Sequence, residues 1–142
     1  MKNIRIFYDG VKYRVKEWNG MIGLFERIIK TEGKICGDIS FIISNDRTIK
    51  DLNISYLKHS WVTDVISFDY NEGKKISGEI YISLDTVKRN AINYKVSLSN
   101  ELLRIMIHGI LHLCGYEDND EERKMIMSKK EDEWLEEYSR KE

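Results

Sequence analysis

LSNELLRIMIHGILHLCGYEDND, residues 98–120, sets two of the chain's three histidines four residues apart inside an apolar run. Positions i and i+4 share one face of an α-helix, so His108 and His112 can offer two imidazole nitrogens to one point in space. Leu102, Leu103, Ile105, Met106, Ile107, Ile110, Leu111 and Leu113 surround them. That pattern predicts a buried helix with its polar residues, Glu101, Arg104, His108 and His112, confined to one stripe. Gly115 predicts the left-handed cap that stops the helix and turns the chain back toward it. Asp118 then lies six residues past His112, close enough across the turn to reach a metal held by both imidazoles. Three protein ligands with a position left open mark a catalytic rather than a structural metal. An arbitrary pair of histidines at this spacing is as readily two satisfied side chains on one face, and the carboxylate beyond the glycine moves the reading toward a metal. The zincin protease pattern needs a glutamate base directly after the first histidine. Gly109 stands there, so that reading is rejected.

Working outward, Ser97 or Ser99 starts the histidine helix, and Ser83 caps a helix over residues 84–95 with Val87, Ala91 and Tyr94 facing inward. Residues 65–70 and 78–83 read as two strands joined by a glycine-containing loop, a hairpin. Asn45 or Asp46 caps a helix to about residue 57, burying Ile49, Leu52 and Tyr56. Ile39, Phe41 and Ile43 form the strand before it. Met21, Ile22, Leu24, Phe25, Ile28 and Ile29 recur at helical spacing over residues 18–32, closed by Gly33. Ile4, Ile6 and Tyr8 make a first strand that stops at Asp9-Gly10. A strand, helix, strand order favours a parallel pair. After Asp120 a charged helix carries Met125, Met127, Trp134, Leu135 and Tyr138 as its apolar side, and its acidic excess reads as solvated surface. The expectation is one α+β domain over residues 1–142: a mixed four-stranded sheet with about five helices, the histidine helix central.

A chain of 142 residues with 42% hydrophobic content has room for one core and needs no second domain. Its apolar runs fall far short of the ~20 residues of a membrane span, and the N-terminus reads into a strand rather than a signal peptide, so a cytoplasmic protein with no membrane partner is expected. Cys36 and Cys114 are too few for a disulfide framework and lack the spacing of a metal or redox motif; both read as buried thiols. The net charge of −1 argues against a general polyanion binder. Its distribution is uneven: residues 1–60 carry 11 basic and 7 acidic side chains, residues 98–142 carry 7 and 12. Phosphate contacts should therefore come from the N-terminal part, with Arg47, Lys50 and Lys58 as candidates.

The motif His108-Gly109-x-Leu111-His112-Leu113-x-Gly115-Tyr116 resembles the YbeY family of metal-dependent, single-strand-specific endoribonucleases of ribosomal RNA maturation. Residues 52–68, LNISYLKHSWVTDVISF, resemble the family's segment from helix through loop into the next strand, and Gly78, Glu79, Ile80, Ile82 and Ser83 fit a further family pattern. The resemblance spans about residues 36–120. Its glycine at position 78 is expected to let the backbone approach the site closely. The chain departs from the pattern at Asp118, where the family has a third histidine, at Glu117 in place of aspartate, and at Leu57 in place of a functional arginine. Ser60 and Val62 differ from the frequent aspartate and proline.

The resemblance implies a metal centre of His108, His112 and Asp118 that serves catalysis. It implies one divalent transition metal, zinc first, with manganese or iron favoured by the harder carboxylate. It also implies single-stranded RNA, ribosomal RNA and ribosomal particles as partners, in 16S rRNA 3′ end processing and ribosome quality control. Lys58 is the nearest substitute for the absent arginine, restoring charge without paired hydrogen bonds. His59 beside it is a second candidate RNA contact, or else an exposed loop residue. Glu101 suits an outer or substrate-orienting role. Arg104 could neutralise Glu101, touch phosphate or sit in a structural ion pair. Two rival readings differ in class: a non-catalytic ribosome-associated maturation factor, its metal closed by a fourth ligand such as Glu117 or His59, and an iron oxygenase with the same three ligand types.

Overall fold

A computed structural model describes residues 3–57 and 65–140. In chain order these form β1 (Ile4–Tyr8), α1 (Trp18–Thr31), β2 (Ile35–Ser44), α2 (Asp46–Leu52) running into a π-helical turn (Asn53–Leu57), β3 (Val65–Asp69), β4 (Lys75–Ser83), α3 (Leu84–Tyr94), α4 (Leu98–Leu113) and α5 (Glu121–Arg140). The four-stranded sheet has the order β1-β2-β4-β3. β1 and β2 run parallel, as do β2 and β4, whereas β3 and β4 are antiparallel. The α+β architecture is as expected, and so are the parallel first pair and the hairpin. Lys58, His59, Ser60, Val62 and the rest of residues 58–64 lie outside the described residues, as do the side chains of Tyr56 and Leu57.

Alternation places Ile39, Phe41 and Ile43 of β2 and Ile80 and Ile82 of β4 on one covered face, all fully buried. Over it lie Leu24, Phe25 and Ile28 of α1 and Met106, Ile107, Ile110 and Leu111 of α4. Phe25 and Phe41 pack with ring centroids 5.1 Å apart and planes tilted by 38°. α4 touches α1, α3, α5, β3 and β4, so the histidine helix is the hub.

Caps settle what the sequence left as alternatives. Asn45 accepts the Thr48 N–H at 3.0 Å, and Ser97 accepts the Asn100 N–H at 3.0 Å. Both strands flanking the centre start earlier than expected: β2 at Ile35, with a register shift between Cys36 and Ile39, and β4 at Lys75. Tyr94 is exposed rather than inward, because α3 buries only Leu84, Val87 and Ala91. Met125 is likewise exposed, and α5 turns Met127 into the core. A Cβ on Gly78 would meet the Phe68 carbonyl at 2.5 Å and Leu113 at 2.9 Å, so this glycine lets α4 seat closely on the hairpin at Leu113, next to His112.

Candidate metal centre

The end of α4 builds the site. The Tyr116 N–H donates to the Leu111 carbonyl and the Gly115 N–H to the His112 carbonyl, each at 3.0 Å, with Gly115 at φ 109°. This pair of bonds is a Schellman cap, which satisfies the last carbonyls and reverses the chain. The reversal brings the Tyr116 carbonyl to 2.9 Å from His112 Nδ1, and carries Asp118 over both imidazoles. His108 Nε2 stands 3.4 Å from Asp118 Oδ2, and His112 Nε2 stands 3.7 Å from Oδ1. The two rings lie nearly perpendicular with centroids 4.6 Å apart.

His108, His112 and Asp118 form the one group of potential ligands among the described residues, with donor atoms all within 4.8 Å of one another. Two atoms each about 2.0–2.1 Å from one ion at the tetrahedral angle stand roughly 3.3–3.4 Å apart, close to the imidazole–carboxylate separations here. The group could hold a metal ion, and the donor set fits one. Burial first, and the adjacent His108 ring second, hold the His112 imidazole below its ordinary range against the pull of Asp118. Its neutral form, the one with a free lone pair, is thereby favoured.

Beside His112 opens a cleft of about 360 Å³, walled by Val65, Ser67, Asp69 and Asn71 on one side and by His112, Leu113, Gly115, Tyr116 and Glu117 on the other. Asn71 is committed to the fold, donating to the Leu113 carbonyl and accepting from the Ser77 N–H. The Ser67 hydroxyl oxygen is buried with no hydrogen-bond partner among the described residues.

The remaining sequence candidates fall elsewhere. Glu101 is buried in the first turn of α4 and lines a separate cleft with Arg104, Glu131 and Asp132. Arg104 pairs with Glu131 at 3.0 Å and with Asp132. Glu117 faces Arg123 at 3.0 Å and stands outside the histidine group. Cys114 is a buried thiol, Cys36 only a partly buried one.

Sequence reasoning missed Glu131. It is 6% exposed, and its Oε2 lies 2.6 Å from His108 Nδ1. Reading the acids of α5 as solvated surface is corrected at this position. The signal was present: residue 131 falls at helical spacing with Met127, Trp134, Leu135 and Tyr138, an acid in an apolar stripe.

An α+β fold with two histidines and a carboxylate converging at the end of its central helix defines the class: a protein with a candidate mononuclear metal centre. A family model described as Endoribonuclease YbeY matches residues 11–139. The Endoribonuclease YbeY of Flavobacterium psychrophilum is 42% identical over 125 residues, 88% of this chain and 89% of its own length. That of Parabacteroides distasonis is 47% identical over 109 residues, 77% of each chain. The solution structure of TM1509 from Thermotoga maritima is similar in fold, with a TM-score of 0.65 and 31% identity, covering 95% of this chain and 88% of that one. The chain belongs to the YbeY family.

Proposed function

We propose that this chain is a metal-dependent endoribonuclease that cuts single-stranded RNA, folded as one domain over residues 1–142. In this reading it works in the cytoplasm on ribosomal RNA, at the 3′ end of 16S rRNA, and in ribosome quality control. The observation that carries the reading is the meeting of both imidazole Nε2 atoms with Asp118, in a chain whose relatives bear the name endoribonuclease. Among the described residues no helix is long and apolar enough to cross a membrane.

His108 and His112 would hold one divalent ion through Nε2, and Asp118 through its carboxylate. Two imidazoles suit zinc, and the carboxylate in third place also suits manganese or iron(II). Such an ion, when bound, supplies Lewis acidity toward a phosphodiester oxygen. The protein's own residues do the rest. The cleft beside His112 is open on one side, which admits a splayed strand more readily than a rigid A-form duplex. Exposed Arg47 and Lys50, together with Lys58 and His59, are the proposed RNA contacts. Glu101 and Arg104 enter as supporting groups, since Arg104 is engaged with Glu131 and Asp132.

The test is cleavage of a single-stranded ribosomal RNA fragment and of its duplex by wild type, His112→Ala and a chelated sample. Cutting confined to metal-loaded wild type and the single strand supports the reading. Intact RNA, with protein still bound to ribosomal particles, favours the non-catalytic factor. Cutting that survives both His112→Ala and chelation removes the enzyme reading.

A further inference from the structure

α5 is a charged helix in which only Met127 and Glu131 are buried. The two oxygens of Glu131 are divided between different partners: Oε2 meets His108 Nδ1 at 2.6 Å, and Oε1 accepts the Arg104 guanidinium at 3.0 Å. Lys130, the preceding residue, reaches the support of the other imidazole. Its Nζ lies 3.4 Å from Glu32 Oε2, and Glu32 Oε1 accepts the Tyr116 hydroxyl at 2.8 Å. Tyr116 is the residue whose carbonyl stands against His112 Nδ1. Consecutive residues of α5 thus brace the two histidines.

Resting on the metal reading above, the geometry points to Glu131 as the positioning residue of the site: it holds the His108 ring through Nδ1 and so turns Nε2 toward Asp118, so that metal affinity depends on the docking of α5. A neutral imidazole has one donor and one acceptor nitrogen, and a carboxylate can only accept. Opposite Glu131, Nδ1 therefore carries a proton, which leaves Nε2 as the nitrogen that can give a lone pair to a metal. Arg104 compensates the charge that this places in a buried position. The coupling is reciprocal, because a cation on Nε2 makes Nδ1–H a stronger donor to Glu131 and so tightens the helix.

Glu131→Gln is the sharp test because it keeps the size and inverts the chemistry. A carboxamide has one oxygen, and Arg104, a donor only, claims it. The amide NH₂ then faces His108 Nδ1 and pushes the proton to Nε2. Imidazole ¹⁵N spectra of the metal-free protein, zinc affinity by chelator competition, and amide exchange along α5 with and without zinc would be measured for wild type, Glu131→Gln, Glu131→Ala and Met127→Ala. Wild type should show Nδ1–H at His108, and Glu131→Gln should show Nε2–H with zinc affinity lowered about 10–100-fold. Zinc should slow α5 exchange in wild type and fail to do so in Glu131→Ala. Met127→Ala, which loosens the helix but keeps the carboxylate, should lower zinc affinity by less than Glu131→Gln does. An unchanged spectrum and affinity in Glu131→Gln overturns the proposal. If wild type binds no zinc, the metal reading fails by itself, while the metal-free spectra still decide the role of Glu131.

Discussion

A Cβ built on Gly109 would stand 2.8 Å from Ile80 Cγ2 and 3.0 Å from its Cδ1, closer than real side chains pack. α4 therefore lies on β4 at a separation set by this glycine, one residue from His108. The same contact explains physically why no zincin glutamate can follow the first histidine: its side chain would enter the sheet. Gly109→Ala gains about 1 kcal/mol of helix propensity but overpacks a core in which Ile80 cannot yield, at about 1–3 kcal/mol, so a net loss is expected. In an Ile80→Ala background, where the space exists, the same substitution should stabilise. Urea denaturation of the four proteins checks the change of sign; equal effects in both backgrounds would refute it.

Asp118 should bind as the third ligand. Asp118→Asn keeps the shape and removes the charge, so metal affinity should fall by tenfold or more. Asp118→His should restore binding and move preference from manganese toward zinc. Competitive loading followed by metal analysis decides, and unchanged affinity in Asp118→Asn would remove Asp118 from the ligand set.

The Cys114 thiol is pushed up from 9.0 to about 12, by burial first and by Glu32 second. Three units mean roughly a thousandfold less thiolate at pH 8 than an ordinary thiol carries, and only the thiolate attacks. The folded protein should resist iodoacetamide at Cys114 and react in denaturant, as read by mass spectrometry. The sign for stability follows: the contribution of the protonated thiol is whole below pH 9 and is lost as pH rises toward 12. Rapid labelling of the native chain would refute the assignment.

Asp46 ties α2 to α3, accepting Ser83 Oγ–H at 2.6 Å, Thr86 Oγ1–H at 2.7 Å and Arg89 at 2.9 Å. Burial alone would raise its carboxyl, and these hydrogen bonds outweigh it to hold the group below the usual carboxylate range. Its stabilisation is present above the ordinary value of 3.8 and is lost as pH falls through the depressed one. Asp46→Ala should cost about 1–2 kcal/mol at pH 7. That difference from wild type should shrink in acid, which thermal melts at pH 7 and pH 3 would show.

The residues that converge at the centre were readable because their signals are local. His108 and His112 are separated by one helical turn, and Gly115 and Asp118 follow within six residues. The hub position of α4 was readable from its apolar run for the same reason. Glu131 was hidden because its partner lies 23 residues away and its neighbours in sequence are charged, so the charge masked the stripe. The early start of β2 was hidden because Cys36, Gly37 and Asp38 carry no apolar alternation, and that of β4 because Gly78 interrupts the alternation that Ile76 begins and Ile80 and Ile82 continue. At the start of β2 the pairing comes from the strand opposite, where Cys36 lies beside Ile76. Met125 and Met127 show the limit of composition: both are apolar, and only the docking angle of α5 decides which one enters the core.

The two imidazoles are braced by unlike means, and this makes their tolerance of mutation unequal. His112 leans on the carbonyl of residue 116, a group that every amino acid carries, so replacing Tyr116 changes the bracing of the turn by Glu32 but cannot delete that acceptor. His108 leans on a side chain that a single codon change removes. Random mutagenesis under selection for metal binding should therefore find many acceptable residues at position 116 and few at position 131, although neither residue would touch the ion.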